Sequence, residues 1–274
     1  MIIDGRKLSQ NILDKLKAET AKLKFKPVFC DVLVGDNKVS AQYVKMKGRL
    51  AEQIGISFKR ADFPASITTQ DLVAEIERLN KEPNLCGLIV QLPLPPALDR
   101  AAVLNAIDPK IDVDSTGEVN TKKFYSGQPY LIFPTAAAVV ALLDSVNLDL
   151  THQRIVVVGQ GQLVGKPVSF LLKQRGLSVE VADINTKDIS VLTKTADVII
   201  SAVGKAKLIT GSIIKPNCTI IDAGTSESDS GIVGDVDFES VKDIASYISP
   251  VPGGVGPVTV AMLLQNVLTV AKNF

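Results

Sequence analysis

The chain has 274 residues, and at roughly 150 residues per domain this length predicts about two domains. Its composition, 46% hydrophobic and 22% charged, excludes a disordered or collagen-like chain and supplies enough apolar side chains for a core. Thirty basic and twenty-nine acidic residues leave a formal charge of +1, so we expect neither nucleic acid nor an anionic membrane as a partner.

Residues that could hold a metal or form a disulfide are few and far apart. Cys30, Cys86 and Cys218 form no C-x-x-C pair, and His152 is the single histidine. We therefore predict no metal site, and the cysteine usage favours a reduced compartment. The sequence has no apolar run of about 18 residues and no signal peptide at its start, which is typical of a soluble cytoplasmic protein.

Amphipathic helical patterns alternate with apolar runs along the first half of the chain. The spacing predicts, in chain order, a helix over 4–23, a strand over 28–35, a helix over 40–55, a helix over 67–80 and a strand within 86–96. Ser40 is predicted to cap the second of these helices, and Gly55 to end it. Residues 120–133 are polar and rich in turn formers.

The second half continues this alternation with shorter strands. We predict a helix from Thr135 to about Ser145, strands over 155–159, 178–183, 197–204 and 218–224, and a last helix over about 260–272 that Thr259 caps. Near-continuous Val and Ile runs with helices between them indicate parallel sheets that are buried on both faces. The predicted fold is α/β, with two lobes and a cleft between them.

A glycine-rich turn joins the strand over 155–159 to a helical pattern. Gly159, Gly161 and Gly165 would let the backbone approach a pyrophosphate, whose charge the first amides of the helix would meet. The alternative is an ordinary strand–helix turn. Asp183 ends the next strand, where a carboxylate can accept from a ribose 2′-hydroxyl, and this favours NAD over NADP. Alternatively, Asp183 only caps the turn before Asn185.

Several segments together resemble one enzyme family, the bifunctional methylenetetrahydrofolate dehydrogenase/cyclohydrolases. They occur in the family's order, and PVPGGVGPVT at 250–259 is the most specific of them; the others are VGDNKVSAQYVKMKGRLAEQIGI, GLIVQLPLP, IDVD, VVVG…VGKPV, ADVIISAVGK and GIVGDVDF. The resemblance implies a homodimer that oxidises 5,10-methylenetetrahydrofolate and hydrolyses the product to 10-formyltetrahydrofolate. It also implies an N-terminal catalytic domain over 1–137 plus 257–274 and a Rossmann-like NAD(P)-binding domain over 138–256.

The resemblance places a Tyr-x-x-x-Lys pair in the catalytic site. Tyr43 and Lys47 are four residues apart, so they share one face of the predicted helix. Lys47 would be the central catalytic group, because partial desolvation beside a cationic folate favours its neutral amine and lets it help to activate water. Tyr43 would stack on the aminobenzoyl part of the substrate. From the sequence alone, a solvated helix face is the alternative.

Further site residues follow from the same resemblance. Gln91, at the end of a buried strand, would hold Lys47 or water, and Asp114 would accept hydrogen bonds from the pterin. Pro252, Gly253 and Gly254 would line the folate and nicotinamide sites.

The sequence also departs from the family pattern. Gln160 stands where the family has an arginine that could pair with a 2′-phosphate, and Asp183 stands where it often has a histidine. Both changes favour NAD. Ser115 replaces a glycine beside Asp114, and FPTAAA at 133–138 replaces a P-C-T-P-x-G stretch. The predicted cofactor-binding residues are Gly159, Gln160, Gly161, Gly165, Asp183 and Gly204.

Two other functions are compatible with parts of the sequence. One is an NAD-dependent relative with dehydrogenase activity only, and the other is a catalytically silent NAD-binding regulatory protein. The presence of Tyr43, Lys47, Gln91 and Asp114 argues against the silent protein.

Overall fold

A computed structural model describes residues 1–228 and 231–274 of the chain. The chain divides into two compact units. One consists of Asn11–Pro134 and Leu263–Phe274, and we call it the three-stranded unit after its sheet. The other consists of Met1–Gln10 and Thr135–Met262, and we call it the five-stranded unit. Both sheets are parallel, which confirms the predicted α/β class.

The three-stranded unit places its most apolar strands at the centre and at one edge of the sheet. Its strand order is β2-β1-β3, and every residue of β3 is buried, whereas β2 is the more polar edge strand. The elements in chain order are α1 (Gly5–Thr20, shared between the units), β1 (Val28–Val34), α2 (Lys38–Gln53), β2 (Ser57–Phe63), α3 (Thr69–Leu79), β3 (Leu85–Val90), α4 (Arg100–Asn105) and α5 (Glu118–Tyr125).

The five-stranded unit has the strand order β10-β7-β6-β4-β5, with β4, β6 and β7 fully buried. The elements are α6 (Pro134–Ser145), β4 (Ile155–Val158), α7 (Gly165–Gln174), β5 (Val179–Ala182), α8 (Ser190–Thr193), β6 (Val198–Ser201), a 3₁₀ turn (Gly211–Ile213), β7 (Thr219–Asp222), an antiparallel pair β8 (Ser226–Ser228) and β9 (Gly231–Val233), α9 (Phe238–Val241), β10 (Tyr247–Ile248) and α10 (Val255–Ala271, shared between the units).

Two local predictions are wrong, each because a side chain bonds differently from what the pattern suggested. Asn37, not Ser40, caps α2, because its side chain accepts from the Ser40 amide and starts the helix earlier. Thr259 lies inside α10, where its hydroxyl donates to the carbonyl of Val255. The polar segment after Asn120 is partly the helix α5, whose exposed face carries a Glu118–Lys122 pair at i,i+4.

Three parallel strands end at positions that the sequence marked as functional. Gln91 follows β3 directly, Gly159 follows β4, and Asp183 follows β5. In parallel sheets the carboxyl ends of the strands carry the ligand sites. Across residues 1–228 and 231–274, no helix is both long and apolar enough to cross a bilayer.

Candidate active site

Lys47 lies on the inner face of α2 with Val44 and Ala51, and only 4% of its surface is exposed. Its Nζ donates to Gln91 Oε1 at 2.8 Å, and it lies 2.6 Å from Oδ2 of Asp31. The solvated-face alternative is therefore wrong for Lys47.

The carboxylate of Asp31 is a site residue that the sequence reasoning missed. Asp31 lies in the middle of β1, between Arg60 of β2 and Ile89 of β3 in register, and it is fully buried. Burial raises the pKa of Asp31 to about 6, and the charge of Lys47 opposes that rise. A single carboxylate in the otherwise apolar run VFCDVLV was the available signal.

Two other predicted site residues, Gln91 and Tyr43, lie at the end of β3 and on α2. Gln91 is held by its own amide, which donates to the carbonyl of Val32, and by its side-chain Nε2, which donates to the carbonyl of Leu92. Tyr43 lies one turn before Lys47 and is half-buried, and burial raises the pKa of its hydroxyl. The phenol therefore stays protonated and can donate a hydrogen bond.

The charge of Lys47 also acts on the pKa of the Asp114 carboxyl. It is half-buried, burial raises the pKa of its carboxyl, and the positive charge of Lys47 lowers it. Its neighbour Asp112 has a structural role, because its carboxylate accepts from the amides of Thr116 and Gly117. Ser115 has a φ of +58°, in the left-handed region where a glycine is unstrained, so the serine adds strain beside Asp114.

In the five-stranded unit, the glycine turn between β4 and α7 is compact. Gly159 has a φ of +93°, and a Cβ there would lie 2.4 Å from the carbonyl oxygen of Ala202. A Cβ on Gly165 would lie 1.9 Å from the carbonyl oxygen of Gly159, whereas a Cβ on Gly161 would meet nothing within 4 Å. Gly161 thus borders open space before the N-terminus of α7, and this fits a bound pyrophosphate.

The two residues that bear on the choice of cofactor make local hydrogen bonds. Gln160 Nε2 donates to the carbonyl of Gly159 at 2.9 Å and lies 3.2 Å from the hydroxyl of Ser169. Asp183 is exposed, and its Oδ1 accepts from the amide of Asn185 at 2.9 Å. The turn-capping alternative is therefore correct as local geometry, and it leaves the carboxylate at the surface.

Two further segments of the five-stranded unit carry predicted residues. Gly204 follows β6 with a φ of +77°, and its carbonyl accepts from the hydroxyl of Ser226. Pro252, which follows a cis peptide bond, and Gly253 and Gly254 form the turn directly before α10. Within the part of the chain that the structure describes, no group of three or more His, Cys, Asp or Glu side chains could hold a metal ion.

Comparison with known proteins identifies relatives along the whole chain. The catalytic-domain model of tetrahydrofolate dehydrogenase/cyclohydrolase matches residues 3–114, and its NAD(P)-binding-domain model matches residues 134–274. The bifunctional protein FolD of Nautilia profundicola is 43% identical over 277 residues, which cover 100% of this chain and 98% of that protein.

Solved structures agree with these matches. The bifunctional FolD dehydrogenase/cyclohydrolase of Campylobacter jejuni has a TM-score of 0.95 and 38% identity, covering 100% of this chain and 99% of that one. The Trypanosoma brucei enzyme, complexed with NADP and an inhibitor, has a TM-score of 0.94 and 36% identity, covering 100% and 97%.

Proposed function

This chain belongs to the tetrahydrofolate dehydrogenase/cyclohydrolase family, and we propose that it catalyses both reactions of that family. It oxidises 5,10-methylenetetrahydrofolate to the 5,10-methenyl compound with NAD⁺ or NADP⁺, and then hydrolyses that product to 10-formyltetrahydrofolate. The observation that carries this proposal is the buried contact of Lys47 with Gln91, because it holds together two residues that the sequence resemblance predicts for the catalytic site.

Hydrolysis begins when water adds to the methenyl carbon. Both protons of the incoming oxygen must leave it as the formyl carbonyl forms. N5 gains one proton when its bond to the carbon breaks, and one proton is released to the solvent. Lys47 can accept and return these protons, and its ammonium form stabilises oxyanion character on the adduct. The amide of Gln91 fixes the Nζ of Lys47 through a 2.8 Å hydrogen bond, which keeps the proton transfer in one geometry.

Tyr43 and Asp114 bind the substrate in this proposal. The half-buried ring of Tyr43 offers a face for the aminobenzoyl group. The carboxylate of Asp114 has two oxygens for two neighbouring N–H groups on the pterin edge. Burial raises the pKa of this carboxyl, and the charge of Lys47 opposes that rise.

The nicotinamide dinucleotide is held by the glycine turn and by the residues that follow β5 and β6. Gly161 leaves room for the pyrophosphate, and the first amides of α7 meet its negative charge. When bound there, NAD⁺ or NADP⁺ would supply the acceptor for the hydride of the methylene carbon. In this proposal, Gly204 and the turn of Pro252, Gly253 and Gly254 would line this site and help to keep water out of it.

NAD is the preferred cofactor in this proposal, and a double substitution tests the preference. Replacing Asp183→Ser and Gln160→Arg removes an anion and adds a partner for a 2′-phosphate. We expect the ratio of kcat/KM for NADP⁺ over NAD⁺ to rise at least about tenfold, because a charge-assisted hydrogen bond contributes about 1.5–3 kcal/mol. Asp188→Ser is the matched control, since Asp188 is an exposed aspartate whose Oδ1 likewise accepts from the amide two residues on. An unchanged ratio would exclude the assigned roles.

The assembly and location of the protein are also proposals. We propose a homodimer in the cytoplasm, with tetrahydrofolate derivatives as its small-molecule partners. The reduced compartment is supported by Cys30, Cys86 and Cys218, which are all free and buried. Analytical ultracentrifugation of the purified chain tests the dimer.

A spectrophotometric assay separates the proposed function from its alternatives. Purified protein is mixed with methylenetetrahydrofolate and either nicotinamide in parallel. Methenyl absorbance that depends on the cofactor and then decays faster than in buffer supports both activities. Methenyl that persists indicates the dehydrogenase-only relative, and no signal with either cofactor indicates a silent nucleotide-binding protein.

A further inference from the structure

The ion pair between Asp31 and Lys47 is almost completely removed from solvent. The Lys47 side chain is 6% exposed and that of Asp31 is 0% exposed, with 2.6 Å between Nζ and Oδ2. Within the described residues, Oδ1 of Asp31 has no hydrogen-bond partner. The carboxylate is therefore desolvated on one side and neutralised on the other by a single amine.

Such a pair is a poor device for stabilising a fold. Removing two charges from water costs several kcal/mol for each ion, and well-packed apolar residues often serve stability equally well. Asp31 occupies the central strand of its sheet, where its neighbours along the chain, Cys30 and Val32, are fully buried. An apolar residue would satisfy this position, so the carboxylate points to a role through Lys47.

The charges that act on Asp31 come from three sides. Lys47 on α2 is the nearest and favours the ionised carboxylate. Asp114, in the segment after α4, disfavours it, and Arg60 on β2 weakly favours it. On the β3 side the register partner is the apolar Ile89. Lys47 is thus the charged group in direct contact with the Asp31 carboxylate.

We propose that Asp31 is a positioning residue for hydrolysis: its carboxylate keeps Lys47 charged and directed at Gln91, and thereby sets the pH range in which hydrolysis runs. The fully buried Asp31 acts on the substrate only through Lys47. The proposal rests on the proposed role of Lys47 in hydrolysis. It adds a residue that controls how readily the amine exchanges protons.

The test is the pH profile of methenyltetrahydrofolate hydrolysis by the Asp31→Asn protein. Removing the anion favours the neutral amine, so the limb of the profile that depends on Lys47 moves to lower pH, whichever form of the amine is active. We expect a displacement of about one to three pH units, as for loss of an opposite charge in contact. The KM for the folate should stay constant while kcat changes at a given pH. A profile that superimposes on that of the wild type, with a lower kcat, would overturn the proposal.

Asp112→Asn is the matched control. Asp112 is also a buried carboxylate of the three-stranded unit, but its partners are the amides of Thr116 and Gly117 and the side chain of Asn120. Its replacement should leave the limb in place. If it moves the limb as far as Asp31→Asn does, the specific role of Asp31 is excluded.

Unfolding measurements keep the proposal testable if Asp31→Asn alone does not fold. Lys47→Met leaves Asp31 buried without a counter-charge, so adding Asp31→Asn to that variant should raise its unfolding midpoint. A lower midpoint in the double variant would show that Asp31 serves the fold independently of Lys47, which overturns the proposal. If the wild-type protein shows no hydrolysis at any pH, the proposed function is refuted. The coupling between Asp31 and Lys47 can then still be measured from the unfolding midpoints of the single and double variants.

Discussion

Lys47→Met protein should lose hydrolysis of methenyltetrahydrofolate by a factor of about 10² to 10⁴, which is the usual contribution of a positioned acid–base group. The thioether of methionine fills much of the same volume but can neither accept nor return a proton. Single-turnover decay of methenyl absorbance measures the loss directly. Turnover equal to that of the wild type would exclude the role assigned to Lys47.

Lys45→Met provides a matched control on the same helix. Lys45 is exposed, two residues before the buried Lys47, so the same substitution there removes a charge from the solvent side of α2. We expect hydrolysis by this variant to equal that of the wild type. An equal loss in both variants would point to the net charge of the helix rather than to the Lys47 cluster.

Lys47→Met should also destabilise the fold in a way that depends on pH. Removing one partner of a buried ion pair costs about 3–5 kcal/mol, because the remaining charge is unpaired. Burial already raises the pKa of Asp31 to about 6 from its ordinary 3.8, and the loss of Lys47 raises it further. When the pKa of a carboxyl is higher in the folded than in the unfolded chain, the free energy of unfolding falls as the pH rises from the lower to the higher of these two pKa values. Denaturant unfolding should therefore show a larger loss in the free energy of unfolding of Lys47→Met, relative to the wild type, at about pH 8 than at about pH 5.

Most strands of the two parallel sheets could be predicted from the sequence because they are short apolar runs between turn residues. The polar edge strand β2 and the two-residue strand β10 were not predicted. The structure has β1, β3, β4, β5, β6 and β7 inside the predicted ranges or within one residue of them. Helix starts were less predictable, since Asn37 and Ser40 can both cap a helix and only the observed bond to the Ser40 amide decides between them.

The Lys47 cluster could be predicted only in part. The spacing of Tyr43 and Lys47 indicates a shared helix face, but Lys45, Lys47 and Arg49 look alike in the sequence. The burial of Lys47 depends on its contacts with Asp31 in β1 and with Gln91 after β3, and periodicity carries no information about contacts across 16 or 44 residues. The contact of Asp31 with Lys47 is equally invisible to periodicity, so in the sequence Asp31 is only a charged residue within an apolar strand.

The second large effect is expected from the glycine turn, where two alanine substitutions should fail in different ways. In Gly165→Ala the new Cβ would lie 1.9 Å from the carbonyl oxygen of Gly159, so the backbone must move. Overpacking of this kind costs about 1–3 kcal/mol, and we expect a lower unfolding midpoint together with weak cofactor binding.

Gly161→Ala adds the same methyl group with nothing within 4 Å, so its unfolding midpoint should match that of the wild type. The methyl group would occupy the open space that we assign to the pyrophosphate. The KM for NAD⁺ should therefore rise, while hydrolysis of added methenyltetrahydrofolate, which uses no nicotinamide, continues at the rate of the wild type. Normal cofactor affinity in Gly161→Ala would place the pyrophosphate elsewhere, because backbone contact at this position leaves no room for a side chain.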